Sequence, residues 1–310
     1  MSQVAVPPVV ALLGPTASGK SSLALGLAEL LAGRGTPVEI VNADSMLVYR
    51  GMDIGTAKPG PDELARVPHH LVDVLDVTQN SSIALVQTMA RQAIADCRAR
   101  RVLPLVVGGS ALYTRAVLDE LEIPPTDPVV RARLEEELAE QGSPALHRRL
   151  AERDPRAADA ILPGNGRRIV RALEVVELTG SFSATMPDGR FHIPGTVEIG
   201  LSLSREDLDR RIAERVDRMW HDGLVEEVRS LAGHGLRQGR TASRALGYRQ
   251  VLQYLDGLID EDRARTDTVV RTRRFARKQL MWYRRDPRIR WFGALAPQLA
   301  GQVAESLRLT

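Results

Sequence analysis

Apolar runs and helical spacings alternate along the first part of the chain. Residues 9–13 (VVALL) form an apolar run followed by a glycine, which is typical of a buried parallel strand. From residue 21 to residue 31 leucines recur at helical spacing, and the sequence GRG at 33–35 then ends the pattern. The chain is therefore predicted to begin with a strand and a helix.

The same alternation continues as far as residue 118. Three further segments have the composition of strands, at 37–44 (PVEIVNAD), 69–76 (HHLVDVLD) and 103–109 (LPLVVGG), and a helix is predicted across 83–99. Asp44 lies at the C-terminal end of the second of these four segments, just after its apolar positions. Strands that alternate with helices predict an α/β fold with a parallel sheet flanked by helices.

The pattern changes after residue 118. A proline-rich break (IPPTDP, 123–128) is followed by about seventy residues with helical spacing and no convincing strand. The sequence TVEIGLSLS at 196–204 then restores a strand alternation, and helices dominate again toward the C-terminus. We therefore predict an α/β core formed by residues 1–118 and 196–310, with an inserted helical domain at 119–195. The strand after the insertion is expected to be the last strand of the sheet.

Composition limits the class of protein. Of the 310 residues, 44% are hydrophobic and 26% charged, as in ordinary soluble domains. The N-terminus carries no basic leader, and no stretch approaches the roughly 18 apolar residues that a membrane helix needs. The single cysteine, Cys97, excludes an intrachain disulfide, and we expect it to be a helix residue without chemistry. These features predict a cytoplasmic protein with no membrane association.

The basic residues are unusual in kind. Only three of the 42 are lysine, the formal net charge is +3 and the isoelectric point is about 9.3. Arginine offers a fixed fork of donors that suits phosphate and nucleic acid. A genome rich in arginine codons would give the same count, so the placement of the arginines matters more than their number.

Residues 14–21 (GPTASGKS) match the pattern G-x-x-x-x-G-K-[ST], with an apolar strand before it and a helix after it. Glycines allow consecutive backbone N–H groups to turn inward around phosphate oxygens, and the helix N-terminus adds positive potential. Lysine supplies a mobile charge, and the Ser21 hydroxyl is placed to hold Mg²⁺. The predicted diphosphate-binding residues are Gly14, Pro15, Thr16, Ala17, Ser18, Gly19, Lys20 and Ser21.

The loop by itself indicates a diphosphate and not a particular reaction. A nucleotide kinase needs a magnesium carboxylate after a strand, and Asp44 could serve as that ligand or as a ribose-binding acid. At this point a kinase and a different diphosphate-dependent enzyme are equally compatible with the sequence.

A second motif separates these alternatives. Together with GPTASGK, the sequence NADSMLVYRGMDIGTAKP (42–59) resembles the tRNA dimethylallyltransferase (tRNA isopentenyltransferase) family, bacterial type. Further segments match in order, so that the resemblance covers nearly the whole chain. They are GGSALY (108–113), DPVVRARLEEE (127–137), RRIVRALEVVELTG (167–180), RRIAERVDRMWHDGLVEEV (210–228), RALGYRQ (244–250) and TRRFARKQLMWYRR (272–285).

The resemblance implies a P-loop kinase-like fold that carries out prenyl transfer. Members move a dimethylallyl group from dimethylallyl diphosphate to N6 of the adenosine 3′ of the anticodon, in tRNAs reading codons that begin with U. The phosphate loop would then hold the departing diphosphate, and the inserted helices would clasp the anticodon stem-loop. The alternatives are an adenylate (AMP/ADP) prenyltransferase, which would lack a full insertion, and a P-loop nucleotide kinase. We expect a monomer that uses Mg²⁺.

The resemblance also assigns roles to three residues. Asp44 matches the general base, Thr16 a residue that holds the diphosphate, and Arg215 an arginine that closes on it. The alternatives are a metal or structural ligand for Asp44 and a turn-forming role for Thr16. Helical spacing alone places Arg215 on one face with Arg211 and Arg218, which is more often a solvated face.

The acceptor side is expected to be rich in arginine. Matching the family's tRNA contacts are Asp44, Ser45, Met46, Leu47, Ser110, Arg167, Arg168, Arg171, Arg244, Gly247, Tyr248 and Arg249. Tyr248 could be a stacking platform for a base or an ordinary core residue. Within 271–290 there are nine basic residues and one acid, with aromatics interleaved, and Arg271, Arg274 and Lys278 share a helical face. We expect this face to contact tRNA, although it would also suit a solvated helix.

Overall fold

The structure, a computed structural model, describes residues 6–182 and 189–307 in two compact units. The larger unit combines the chain up to Asp119 with the chain from Phe191 onward, and the smaller unit is Glu120–Arg190. The sequence places the insertion at 119–195, and residues 183–188 of that range lie outside the described chain.

The larger unit is built on a six-stranded sheet whose neighbouring strands are all parallel. The strand order is β3-β2-β4-β1-β5-β6, so β1 is central. The strands are β1 (Val10–Leu13), β2 (Val38–Asn42), β3 (His69–His70), β4 (Leu103–Gly108), β5 (Val197–Ser202) and β6 (Arg290–Gly293). The prediction of a parallel α/β sheet is confirmed.

Two strand predictions need correction. The segment 69–76 contributes only the two residues of β3, because Leu71 and Asp73 adopt positive φ (61° and 55°) and end the extended chain. The strand after the insertion is not the last one, since β6 pairs with β5 at the edge of the sheet. Its four residues RWFG follow a long basic helix and show no alternation of buried and exposed positions, so the pattern did not reveal a strand.

Helices cover both faces of the sheet in the larger unit. Before the insertion they are α1 (Lys20–Ala32), α2 (Pro61–Arg66), α3 (Ile83–Ala99) and α4 (Ala111–Leu118). The smaller unit contains α5 (Pro128–Gln141), α6 (Ser143–Arg153), α7 (Pro155–Asp159) and α8 (Gly166–Thr179). After it come α9 (Arg205–His221), α10 (Leu224–Gly233), α11 (Tyr248–Leu255), α12 (Glu261–Tyr283) and α13 (Leu299–Leu307), with short 3₁₀ turns at Leu236–Gln238 and Ala242–Arg244.

The alternation of side chains along β1 divides the core into two layers. Ala11 and Leu13 face the layer that includes residues of α3, α10 and α11, whereas Val10 and Leu12 face the layer formed with α1 and α13. Both faces of the central strand are therefore buried, as its continuous apolar sequence requires. Among residues 6–182 and 189–307, no helix is both long and apolar enough to cross a bilayer.

A buried carboxylate organises the smaller unit. Glu174 of α8 accepts hydrogen bonds from the Thr126 hydroxyl (2.6 Å) and the Asp127 N–H (3.0 Å), and it pairs with Arg131 and Arg171. Burial by itself raises the pKa of Glu174, but these donors prevail and lower it to about 2. The carboxylate thus ties the proline-rich break to α5 and α8.

We predict that Glu174→Gln loosens the smaller unit. Replacement leaves two arginines facing a neutral amide, and losing one partner of a buried ion pair costs about 3 kcal/mol. Hydrogen exchange should accelerate in α5 and α8, and the exposed Glu140→Gln on α5 serves as the control. Because the folded-state pKa is lowered, this stabilisation is present above about pH 4.5 and is lost as the pH falls toward 2. Equal protection of α8 in both variants at pH 7 would contradict the prediction.

Candidate active site

The phosphate loop joins β1 to α1 at the C-terminal edge of the sheet. Gly14 and Gly19 have positive φ (153° and 94°), and a Cβ on Gly14 would lie 3.1 Å from Ser18 Oγ and 3.3 Å from the Leu201 carbonyl oxygen. Only glycine fits this approach without strain. Residues 16–21 line a cavity of about 930 Å³, and α1 begins at Lys20 with its N-terminus at that cavity.

Lys20 is a cation of the cavity that interacts with Asp44 and Arg215. Its Nζ donates to the Pro15 carbonyl oxygen at 2.7 Å. Burial lowers the pKa of Lys20 to about 8, with Asp44 opposing the shift and Arg215 adding to it. The three groups therefore act on one another, although they come from three distant parts of the chain.

Asp44 is held in a fixed turn two residues beyond β2. Its N–H donates to Asn42 Oδ1 (2.8 Å), and the Met46 N–H donates to Asp44 Oδ1 (2.9 Å). Among the described residues no group donates to Oδ2. Asp44 and Leu47 line the cavity, and Ser45 and Met46 are half-buried beside them. One carboxylate oxygen thus fixes the turn while the other retains its capacity to accept a proton.

Two arginines of α9 complete this wall. Arg215 donates from Nη2 to the Thr56 carbonyl oxygen (3.0 Å), and burial lowers its pKa while Asp44 opposes that change. Arg211 donates from Nε to the Ala17 carbonyl oxygen within the phosphate loop (2.9 Å). The structure thus brings Thr16, Lys20, Ser21, Asp44 and Arg215 to one cavity. Arg211 was noted in the sequence only as a neighbour on the helix face.

Two residues outside the predicted site hold the loop at 53–58. The Glu227 carboxylate accepts from the N–H groups of Asp53 (3.0 Å), Ile54 (2.7 Å) and Gly55 (3.2 Å). Lys58 Nζ donates to the Tyr49 carbonyl oxygen (2.8 Å) and pairs with Asp53 and Asp73. Lys58 could have been suspected as one of three lysines, but Glu227 carries no local signal.

Tyr248 is a core residue, and the stacking alternative is wrong. Its ring is fully buried, and its hydroxyl donates to Glu227 Oε1 at 2.5 Å. The ring packs so closely on Gly55 that a Cβ there would lie 2.4 Å from Tyr248 Cε2. Gly247 is buried as well and has φ 88°, so neither residue offers a surface to RNA.

The other residues predicted to contact tRNA differ in solvent exposure and in their hydrogen bonds. Ser110 is half-buried at the start of α4, while Arg244 and Arg249 are exposed around α11. In the smaller unit Arg167 and Arg168 are exposed in the first turn of α8. Arg171 instead donates to the carbonyl oxygens of Pro124 (2.7 Å) and Pro125 (2.9 Å) and pairs with Glu174, so its contacts support the fold.

The basic face of α12 is solvent-exposed. Arg271, Arg274 and Lys278 are exposed, and so are Phe275 (42%) and Trp282 (51%). Tyr283 is buried, and its hydroxyl lies 3.4 Å from the Gly108 carbonyl oxygen. Of the three aromatics interleaved with the basic residues, two are therefore on the surface and one is in the core.

Cys97 lies in a separate cluster. Its thiol contacts Glu39 Oε2 at 3.3 Å, and Arg100 holds both oxygens of that carboxylate at 2.6 Å. Burial and the adjacent Glu39 raise the pKa of Cys97 to about 12, so the thiol stays protonated. Such a thiol is a poor nucleophile.

Comparison with known proteins finds similarity to IPP transferases and tRNA dimethylallyltransferases. The family model described as IPP transferase matches residues 47–286. A tRNA dimethylallyltransferase of Cutibacterium acnes is 64% identical over 96% of this chain and 93% of its own length. The full-length tRNA isopentenylpyrophosphate transferase of Bacillus halodurans superposes with a TM-score of 0.69 at 38% identity, covering 97% of this chain and 94% of its own. A eukaryotic dimethylallyltransferase described as acting on tRNA shares the fold, with a TM-score of 0.75 at 24% identity over 93% of this chain and 74% of its own.

We predict that the affinity of the cavity for inorganic pyrophosphate falls as the pH rises above about 8. Lys20 then loses its proton in the free protein, and the affinity should drop by up to about tenfold per pH unit. Calorimetric titrations between pH 7 and 9.5 measure this. Lys20→Met should bind more weakly and lack the added decline, which separates it from the ionisation of pyrophosphate itself. Parallel pH curves for the two proteins would contradict the prediction.

Proposed function

This chain belongs to the IPP transferase family, and from that premise we propose that it prenylates tRNA. It transfers a dimethylallyl group from dimethylallyl diphosphate to N6 of the adenosine 3′ of the anticodon, in tRNAs that read codons beginning with U. The product is N6-(dimethylallyl)adenosine. The observation that carries the proposal is the single cavity shared by the phosphate loop and the Asp44 carboxylate.

The reaction joins a poor nucleophile to a reactive electrophile. The N6 lone pair of adenine is delocalised into the ring, whereas the allylic C–O bond breaks readily because the allyl cation is stabilised and diphosphate leaves as an anion. As the C–N bond forms, N6 loses a proton and the leaving diphosphate gains negative charge. The protein must therefore accept a proton at one point and neutralise an anion at another.

The residues around the cavity match both needs. The N–H groups of the phosphate loop, Lys20 and Arg215 carry positive potential toward the departing diphosphate. Asp44 Oδ2 accepts the N6 proton, while Oδ1 remains bound to the Met46 N–H and keeps the carboxylate in place. Thr16 lines the same cavity and holds the diphosphate from the loop side.

Magnesium is compatible with these residues. Ser21 is exposed in the first turn of α1 and lines the cavity, and a hydroxyl oxygen beside diphosphate oxygens is the kind of donor set that Mg²⁺ takes. Ser21 would hold the ion, which would supply additional neutralisation of the leaving group.

The target adenosine must leave its stack to reach Asp44, because chemistry on a base requires it to be extruded. Exposed arginines would contact tRNA phosphates, namely Arg167, Arg168, Arg244 and Arg249, together with the exposed basic face of α12. Tyr248 and Gly247 do not belong to this set. The smaller unit, Glu120–Arg190, whose described residues include the helices α5 to α8, favours tRNA over free AMP or ADP as the acceptor. A monomeric state and a cytoplasmic location remain predictions.

We predict that Asp44→Asn abolishes prenyl transfer while tRNA affinity stays within about threefold. The amide oxygen can still accept from the Met46 N–H, so the turn persists and only the proton acceptor is lost. The change should lower kcat by about 10²–10⁴-fold, the usual contribution of a general base. The assay incubates protein, dimethylallyl diphosphate, Mg²⁺ and undermodified tRNA, then digests the tRNA to nucleosides. Near-normal turnover by the variant would remove Asp44 from the mechanism, and Asp62→Asn on α2 is the control.

We also predict that Arg271, Arg274 and Lys278 contribute to the salt dependence of tRNA binding. Each phosphate contact contributes about 0.7–0.9 to the slope of log K against log salt, so replacing all three with alanine should reduce the slope by about 2. Filter binding between 50 and 300 mM KCl measures the slope. Arg34→Ala combined with Arg101→Ala, two exposed arginines near the C-terminal ends of α1 and α3, should leave it unchanged. An unchanged slope in the triple variant would place the tRNA elsewhere.

A further inference from the structure

Gln279 of α12 reaches into the core of the diphosphate site. The residue is only 5% exposed, and it is one of the few buried polar side chains of the described chain. Its Oε1 accepts a hydrogen bond from the Thr16 N–H at 2.9 Å, and its Nε2 donates to the Gly109 carbonyl oxygen at 2.6 Å. One amide thus joins the phosphate loop after β1 to the glycine turn after β4.

The fit around this amide is close. A Cβ on Gly109 would lie 2.8 Å from Gln279 Nε2 and 3.6 Å from Lys20 Nζ, so the turn can approach only because residue 109 is glycine. One helical turn further along α12, the Tyr283 hydroxyl reaches the Gly108 carbonyl oxygen and Thr114 Oγ1. The inner face of α12 therefore holds both glycines of the turn.

The contact changes how the phosphate loop can bind an anion. From the motif alone, consecutive N–H groups are expected to turn toward the diphosphate. Here the Thr16 N–H is directed to Gln279 instead, which fixes the peptide plane between Pro15 and Thr16. The Ser18 N–H donates to the Pro15 carbonyl oxygen (3.3 Å), so the Thr16 side chain and the N–H groups of residues 17 and 19–21 are left to face the ligand.

We propose that Gln279 is a positioning residue for the donor diphosphate. It acts through Thr16 and the glycine turn, and it sets the orientation in which the loop meets the leaving group. A primary amide is the side chain suited to this role, since it presents one acceptor and one donor in the same plane. The identity of the ligand as a prenyl diphosphate rests on the proposed function, whereas the role in setting the loop does not.

Two substitutions test the inference. Gln279→Leu keeps most of the volume but removes both hydrogen bonds, so we expect the Kd for inorganic pyrophosphate and the KM for dimethylallyl diphosphate to rise about tenfold. The KM for tRNA should stay within twofold, because the exposed basic face of α12 is unaltered. The second substitution is Gln279→Glu. Its control is Gln302→Glu, which makes the same change at an exposed residue of α13.

For Gln279→Glu we expect the Kd for pyrophosphate to depend on pH in a characteristic way. As a carboxylate the side chain still accepts from Thr16, but it faces the Gly109 carbonyl oxygen without a proton and repels the diphosphate. Once protonated, the acid can donate to Gly109 and restore both contacts, and burial favours that form. The ratio of variant to wild-type Kd for pyrophosphate should therefore fall steadily between pH 8 and pH 5.5, whereas Gln302→Glu should show no such change.

The outcomes are separable. A selective loss of donor affinity with intact tRNA affinity, together with recovery of Gln279→Glu at low pH, supports the inference. Pyrophosphate affinity within twofold of wild type in Gln279→Leu overturns it, and so does an equal loss of both substrates with a lowered Tm, which would indicate a role in folding only. Because pyrophosphate binding needs no turnover, failure of the wild-type chain to prenylate tRNA would refute the proposed function while leaving this test intact.

Discussion

The parallel register around β1 is the constraint on which the site depends. Leu13 at the end of β1 lies beside Gly108 at the end of β4, and Asn42 at the end of β2 lies beside Val107. The carboxyl ends of parallel strands meet at one edge of a sheet, and ligands bind in the crevice beyond that edge. The phosphate loop, the Asp44 turn and the glycine turn are therefore neighbours because their strands are neighbours.

Helices from the C-terminal half complete this edge with charge and hydrogen bonds. Arg215 and Arg211 approach from α9, and Gln279 approaches from α12. Burial lowers the pKa of both Lys20 and Arg215, so desolvation of these two cations carries a cost that an anionic ligand would relieve. A diphosphate group would provide that anion, and Asp44 opposes both pKa shifts to a smaller extent than burial causes them.

Carboxylates fix several irregular segments of the chain. Glu227 holds the backbone of residues 53–55, and Glu174 holds the break before α5. At the point where the chain leaves and re-enters the larger unit, Arg288 pairs with Asp119 (2.9 Å) and stacks over the Phe191 ring (4.3 Å). Removing one partner of such a buried pair is costly, which favours a single arrangement of these loops.

The sequence by itself determined the class of fold and predicted the groups that we propose for the chemistry. Strand–helix alternation, the phosphate loop and the position of Asp44 depend on local pattern, and local pattern is visible in one dimension. Only the tertiary structure decided which polar groups face the cavity and which form hydrogen bonds within the protein instead. Tyr248 became a core residue, Arg171 a support for two proline carbonyls, and Gln279 a bridge to a loop 263 residues away. Hydrogen bonds over such separations depend on how helices pack on the sheet. The local sequence around a residue therefore does not predict them.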